Sequence, residues 1–124
     1  MLKSMMIGVA MAVFPASAAF AQAMPVADFL AKVEALEKLG PLAAVSPELG
    51  LLKAEIGNSS KAVRADQIAA DKAGRKLAYC LPAKASMTSE ELVAYFVSIP
   101  AAERTISVGQ AFRGFVTQKY PCKG

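Results

Sequence analysis

The sequence contains no histidine and only two cysteines in 124 residues. Without histidine there is no imidazole to serve as the general base of a Ser-His or Cys-His pair, and the commonest zinc ligand is missing. Cys80 and Cys122 lie far apart and form no C-x-x-C motif, which argues against thiolate catalysis of the thioredoxin kind. No internal repeat or low-complexity tract is present. Beyond residue 23 no stretch approaches the roughly 20 predominantly apolar residues that span a membrane. The length is that of one domain.

What the chain does have is apolar character: 55% of its residues are hydrophobic, well clear of the composition of disordered chains. Part of that excess is concentrated at the start. Lys3 precedes the uncharged run Met5 to Phe14, and the small-residue stretch Pro15 to Ala23 follows, which is the pattern of a secretory signal peptide. Small residues at the first and third positions before the cut fit cleavage after Ala21 or after Ala23. The second is preferred, giving a signal peptide over 1–23 and a domain over 24–124. An uncleaved anchor fits less well, because the apolar middle has about half the spanning length.

Export implies a periplasmic, oxidising location, where Cys80 and Cys122 pair by default. The bridge would close 43 residues, counting both ends, and contribute about 4 kcal/mol in the chain-entropy model. Basic residues exceed acids only mildly, 14 to 10 overall. Their densest group, Lys72, Arg75 and Lys76, falls near a predicted helix end, where cations suit the helix dipole and solvent. A scattered, mild positive charge on an exported chain does not suggest nucleic acid as a partner.

Four segments show the three-to-four spacing of helices and none the alternation of strands, so the expected fold is all-α: a small four-helix domain with one disulfide, after the signal peptide. Val26, Phe29, Leu30, Val33, Leu36 and Leu39 make the first stripe, ended by Gly40-Pro41. Ser46-Pro47-Glu48 reads as N-cap, first helical residue and first-turn acid of the second helix. Its stripe of Leu49, Leu52 and Ile56 meets Gly57-Asn58-Ser59-Ser60 yet resumes in phase at Val63, which predicts one helix from Pro47 to Ala73, with a kink or fray near Gly57 as the alternative. Gly74 fits a C-cap. An irregular loop then passes Cys80 and ends near Ser86. Thr88 and Glu91 form a capping box for the third helix, which buries Leu92, Val93, Phe96 and Ile99; Pro100 stops it or starts a short turn through Arg104. Ser107 and Gln110 do the same for the fourth, which carries Ala111, Phe112, Phe115 and Val116 and ends at Tyr120-Pro121-Cys122.

No constellation reads as catalytic. Glu90 and Glu91 occupy the first turn of a capped helix, Asp66 and Asp71 read as exposed, and both pairs are explained without glycosidase-type chemistry. Gly109 and Gly114 are not followed by the Gly-Lys-Ser/Thr of a phosphate-binding loop. Phe96, Phe112 and Phe115 sit at core spacing. The chain is therefore not read as an enzyme, and no cofactor or metal is expected. The segment Leu81 to Met87 is different in kind: a loop with Lys84, anchored by Cys80 and stiffened by Pro82, can serve as a recognition element on a rigid scaffold. Leu81, Pro82, Lys84 and Met87 are its candidate partner-binding residues.

From Cys80 onward the sequence resembles the Rap/Tai family of type VI secretion immunity proteins. The resemblance rests on Cys80-Leu81-Pro82, the capped helix with Leu92-Val93-Ala94-Tyr95-Phe96, Ile99-Pro100-Ala101-Ala102-Glu103-Arg104, Ala111-Phe112 and the closing Tyr120-Pro121-Cys122, where Tyr120 replaces the family's usual Phe. It implies a small helical periplasmic protein, often a homodimer, that binds a peptidoglycan amidase effector and blocks its cleft stoichiometrically. The rival expectation is a housekeeping periplasmic helical protein, of an envelope-stress or chaperone-like kind, with an unknown ligand. A histidine-free chain makes a switch near pH 6 an unsuitable mechanism for it, since carboxylates titrate near 4.

Overall fold

A computed structural model describes residues 23–123. The signal-peptide expectation falls on 1–23 and so lies, apart from Ala23, outside the described residues. Within them the domain is all-α, with four helices and no strand: α1 Val26–Leu39, α2 Pro47–Ala73, α3 Ser89–Ser98 and α4 Val108–Lys119. Short 3-10 segments, Gly40–Val45 and Ala101–Glu103, connect α1 to α2 and follow α3.

Local chemistry explains most boundaries. The Ser46 hydroxyl accepts the Glu48 amide, and Pro47 takes the first position of α2, where a missing N–H is harmless. Both capping boxes form: Thr88 with Glu91, and Ser107 with Gln110. Gly74 closes α2 in the left-handed region (φ 69°), where a Cβ is disfavoured. Gly40-Pro41 does end α1, but the chain continues into the 3-10 turn instead of a plain loop, leaving Leu39 exposed although it belongs to the apolar stripe.

Helix α2 runs unbroken for 27 residues through Gly57-Asn58-Ser59-Ser60. At 1.5 Å per residue that is about 40 Å, the length of the molecule's spine. Leu52, Val63 and Ala70 are buried, with Leu49 and Ile56 packed against the core. One interior glycine costs about 1 kcal/mol of helix propensity, which the burial on both sides of Gly57 offsets.

The other helices lie along this spine. α1 runs antiparallel to its first half, tied by Lys32 to Glu48 at 2.9 Å. α4 lies along its second half, where Arg113 pairs with Asp66. That ion pair leaves Asp66 only half-exposed, where the sequence reading placed it in solvent. Phe29, Phe96, Phe112 and Phe115 fill the space between, Phe29 meeting Phe96 edge-to-face at 5.3 Å. A Cβ on Gly114 would lie 2.5 Å from the Tyr95 hydroxyl oxygen, so the bare backbone of α4 makes room for that ring beside Phe115. Two isolated antiparallel bridges, Pro25 with Ser107 and Tyr79 with Pro121, fasten the entry to α1 and the exit from α4.

Candidate functional site

The segment between α2 and α3 has no regular structure from Cys80 to Thr88, yet its backbone is held at both ends. After Gly74 the chain turns back, and the Cys80 amide donates to the Tyr120 carbonyl at 2.9 Å. The expected disulfide joins Cys80 to Cys122, with Cα atoms 4.9 Å apart. From α2, Gln67 Oε1 accepts the Leu81 amide at 3.0 Å and Arg64 Nη2 donates to the Pro82 carbonyl at 2.8 Å. These anchors fix the loop's first three residues.

The far end is fixed from α4. The Tyr120 hydroxyl accepts the Ser86 amide at 3.0 Å and donates to the Ser86 carbonyl at 2.9 Å. Lys119 Nζ donates to that same carbonyl at 2.8 Å and pairs with Glu91, itself the third residue of the α3 capping box. Lys119 and the Thr88 amide both donate to the Glu91 carboxylate and hold its pKa below the ordinary value. A phenylalanine at position 120, which lacks the hydroxyl, could make neither bond to Ser86.

Between the two sets of anchors stands a short tip, with Ala83 and Lys84 exposed. Of the four candidate residues, Pro82 and Lys84 are exposed, whereas Leu81 and Met87 are half-buried and pack against the core. The loop therefore divides into two residues that project and two that seat it. Sequence reasoning missed the anchors Arg64, Gln67, Lys119 and Tyr120. Tyr120 alone carried a signal, as a hydroxyl where the family usually has none.

The Pro-x-x-x-Arg motif has a local structural role. Arg104 Nη2 donates to the Val97 carbonyl and its Nε to the Ile99 carbonyl, each at 2.8 Å, closing the C-terminal end of α3. A guanidinium suits the negative end of a helix dipole.

Two concavities flank these elements. A groove of about 440 Å³ between α3 and α4 is floored by Tyr95 and Phe115 and rimmed by Ser98, Gln118 and the Glu91–Lys119 pair. A smaller hollow of about 220 Å³ lies beside Met24, Asn58, Ser107 and Arg113. The buried Tyr79 donates from its hydroxyl to the Val63 carbonyl at 3.2 Å. Desolvation pushes that phenol above its usual range, with nearby Arg113 opposing. Among the described residues no three His, Cys, Asp or Glu side chains group as metal ligands, and no helix is long and apolar enough to cross a membrane. No family model, curated protein or solved structure matches the chain.

Proposed function

We propose that the chain is a periplasmic, immunity-type binding protein that occludes a peptidoglycan amidase effector of type VI secretion. The observation that carries this reading is the exposed Pro82–Lys84 tip held between two fixed loop ends. An occluding loop loses affinity to whatever ordering it undergoes on binding, and a tip already positioned by a disulfide and by side chains of α2 and α4 has little left to lose. Of these supports, the Cys80–Cys122 bridge and the capping box that opens α3 fall within the segments that resemble Rap/Tai proteins, whereas Arg64, Gln67, Lys119 and the Tyr120 hydroxyl are this chain's own. That resemblance also implies pairing with a second copy.

The test is affinity capture with the purified, oxidised protein from secreted and envelope fractions, followed by inhibition of any recovered peptidoglycan amidase. One-to-one inhibition, abolished by Pro82→Asp with Lys84→Glu while the fold persists, is the expected result. Recovery of no hydrolase, under conditions that recover a control immunity pair, would reject the reading.

A second reading has its own observation. Leu42 and Val45 are 65% and 79% exposed on the connection between α1 and α2, and an exposed apolar corner is what a chaperone-like protein uses on unfolded clients. Suppression of the aggregation of a reduced client, lost in Leu42→Ser with Val45→Ser, would favour that reading over the first.

A further inference from the structure

The charges are segregated along α2. Met24 to Ser59 carries three basic residues against five acids, whereas Ser60 to Gly124 carries ten against five. Because α1 and the start of α2 lie together at one end of the spine, this division in sequence is also one in space. Four of the ten cations have partners: Arg64, Arg104, Arg113 and Lys119 are bonded to carbonyls or carboxylates. The other six are exposed, and among the described residues they make no ion pair or side-chain hydrogen bond: Lys61 lies midway along α2, and Lys72, Arg75, Lys76, Lys84 and Lys123 follow it in the chain. The bridge from Tyr79 to Pro121, with Cys122 Sγ 3.4 Å from the Leu77 carbonyl oxygen, brings together the chain neighbours of Lys123 and of Lys76. The acids at this end are Asp71, bonded to Gln67, and the first-turn pair of α3, Glu90 and Glu91, the latter neutralised by Lys119.

We infer that this disulfide end is an electrostatic docking face for anionic phospholipid headgroups. Neither of the two concavities is lined by any of the five cations that follow Lys61, so neither gathers them into a chelating pocket for a small anion. The run from Asp71 to Lys76 contains no aromatic or large apolar side chain to anchor a protein partner, and the nearest exposed one is Ile68, one turn earlier on α2. What remains is a set of solvated cations spread over one end, which suits the diffuse field of a charged bilayer, where each Lys or Arg strengthens partitioning about fivefold. The acid-rich opposite end is repelled by the same surface, which stands α2 away from the bilayer.

The test is co-sedimentation of the purified, oxidised protein with vesicles of phosphatidylglycerol mixed with phosphatidylcholine, against phosphatidylcholine alone, at low ionic strength and at about 0.15 M. The protein is expected to partition onto the anionic vesicles, less at the higher salt, and not onto the neutral ones. Lys72→Glu, Arg75→Glu, Lys76→Glu and Lys123→Glu together should lower partitioning more than about 100-fold. Lys38→Glu with Lys53→Glu, at the opposite end, should not lower it. Should the reversal variant fail to fold, the same four positions changed to Gln carry the comparison. Inorganic phosphate at matched ionic strength should compete no better than chloride, which separates a headgroup surface from a free-phosphate site. Absence of partitioning onto anionic vesicles, equal loss in the Lys38/Lys53 variant, or binding to immobilised poly-glutamate without binding to vesicles would overturn the inference.

Discussion

Replacing Arg104 with alanine removes the clamp on the C-terminal end of α3, and the size of the loss follows from an accounting of carbonyls. The last four carbonyls of a helix have no partner within it. In α3 those of Tyr95 and Phe96 accept from the Ser98 hydroxyl and the Ile99 amide, while the Val97 carbonyl and, just beyond, that of Ile99 depend on the Arg104 guanidinium. A hydrogen bond to a charged group contributes about 1.5–3 kcal/mol when buried. One of these is half-buried and the other exposed, so their joint loss comes to about 2–3 kcal/mol after solvent replacement. For a domain of this size that is about 10–20 °C in Tm. Arg104→Lys keeps a cation at the negative helix end but cannot fork between two carbonyls, and should fall between alanine and wild type. Urea denaturation of the oxidised protein, followed by far-UV circular dichroism, separates the three through their midpoints at constant slope. An alanine variant within about 0.5 kcal/mol of wild type, or a lysine variant equal to wild type, would refute the forked-clamp argument.

Other predictions concern the chain's remaining fasteners. Cys80→Ser with Cys122→Ser should destabilise by about 4 kcal/mol, set by the 43-residue closure, and a change below about 1 kcal/mol would mean that the packed ends alone constrain the chain. Gly57 has open space where a Cβ would go, so Gly57→Ala should stabilise by about 0.5–1 kcal/mol, while Gly74→Ala, at φ 69°, should destabilise by about 1 kcal/mol; thermal melts of the pair check both signs. Lys119 and Thr88 hold the Glu91 carboxyl below its ordinary value of 4.5. A depressed folded-state pKa contributes stability that is present above the ordinary value and lost as pH falls through the lowered one. The stability difference between wild type and Glu91→Gln should therefore be largest at neutral pH and shrink as the pH falls below the ordinary value of 4.5; a pH-independent difference would contradict the assignment.

What was legible in the sequence was what short-range chemistry decides. Ser46, Thr88 with Glu91, Ser107 with Gln110, and Gly74 each announce a helix end through groups no more than three or four residues apart. The continuity of α2 was legible in the seven-residue step from Ile56 to Val63, because phase survives even where propensity is poor. The loop's supports were not legible, since Arg64 to Pro82 spans 18 residues and Lys119 to Ser86 spans 33, and their acceptors are carbonyls that every residue possesses. For the same reason Arg104 was recognisable as part of a motif while its role as a helix clamp was not. Leu81 and Met87 could not be told from Pro82 and Lys84, because a loop without periodicity gives no rule for which side chains turn inward.

The bridge between Cys80 and Cys122 also makes the second part of the chain a covalent ring. That ring contains α3, the following 3-10 turn and α4, while α1 and α2 lie outside it as a tail held by packing. A single backbone cut at the exposed tip, beside Lys84, opens the ring without dividing the molecule. The nicked chain gains the mass of one water and stays in one piece until a reductant separates it, so proteolytic damage at the most accessible point of the loop need not mean loss of either half.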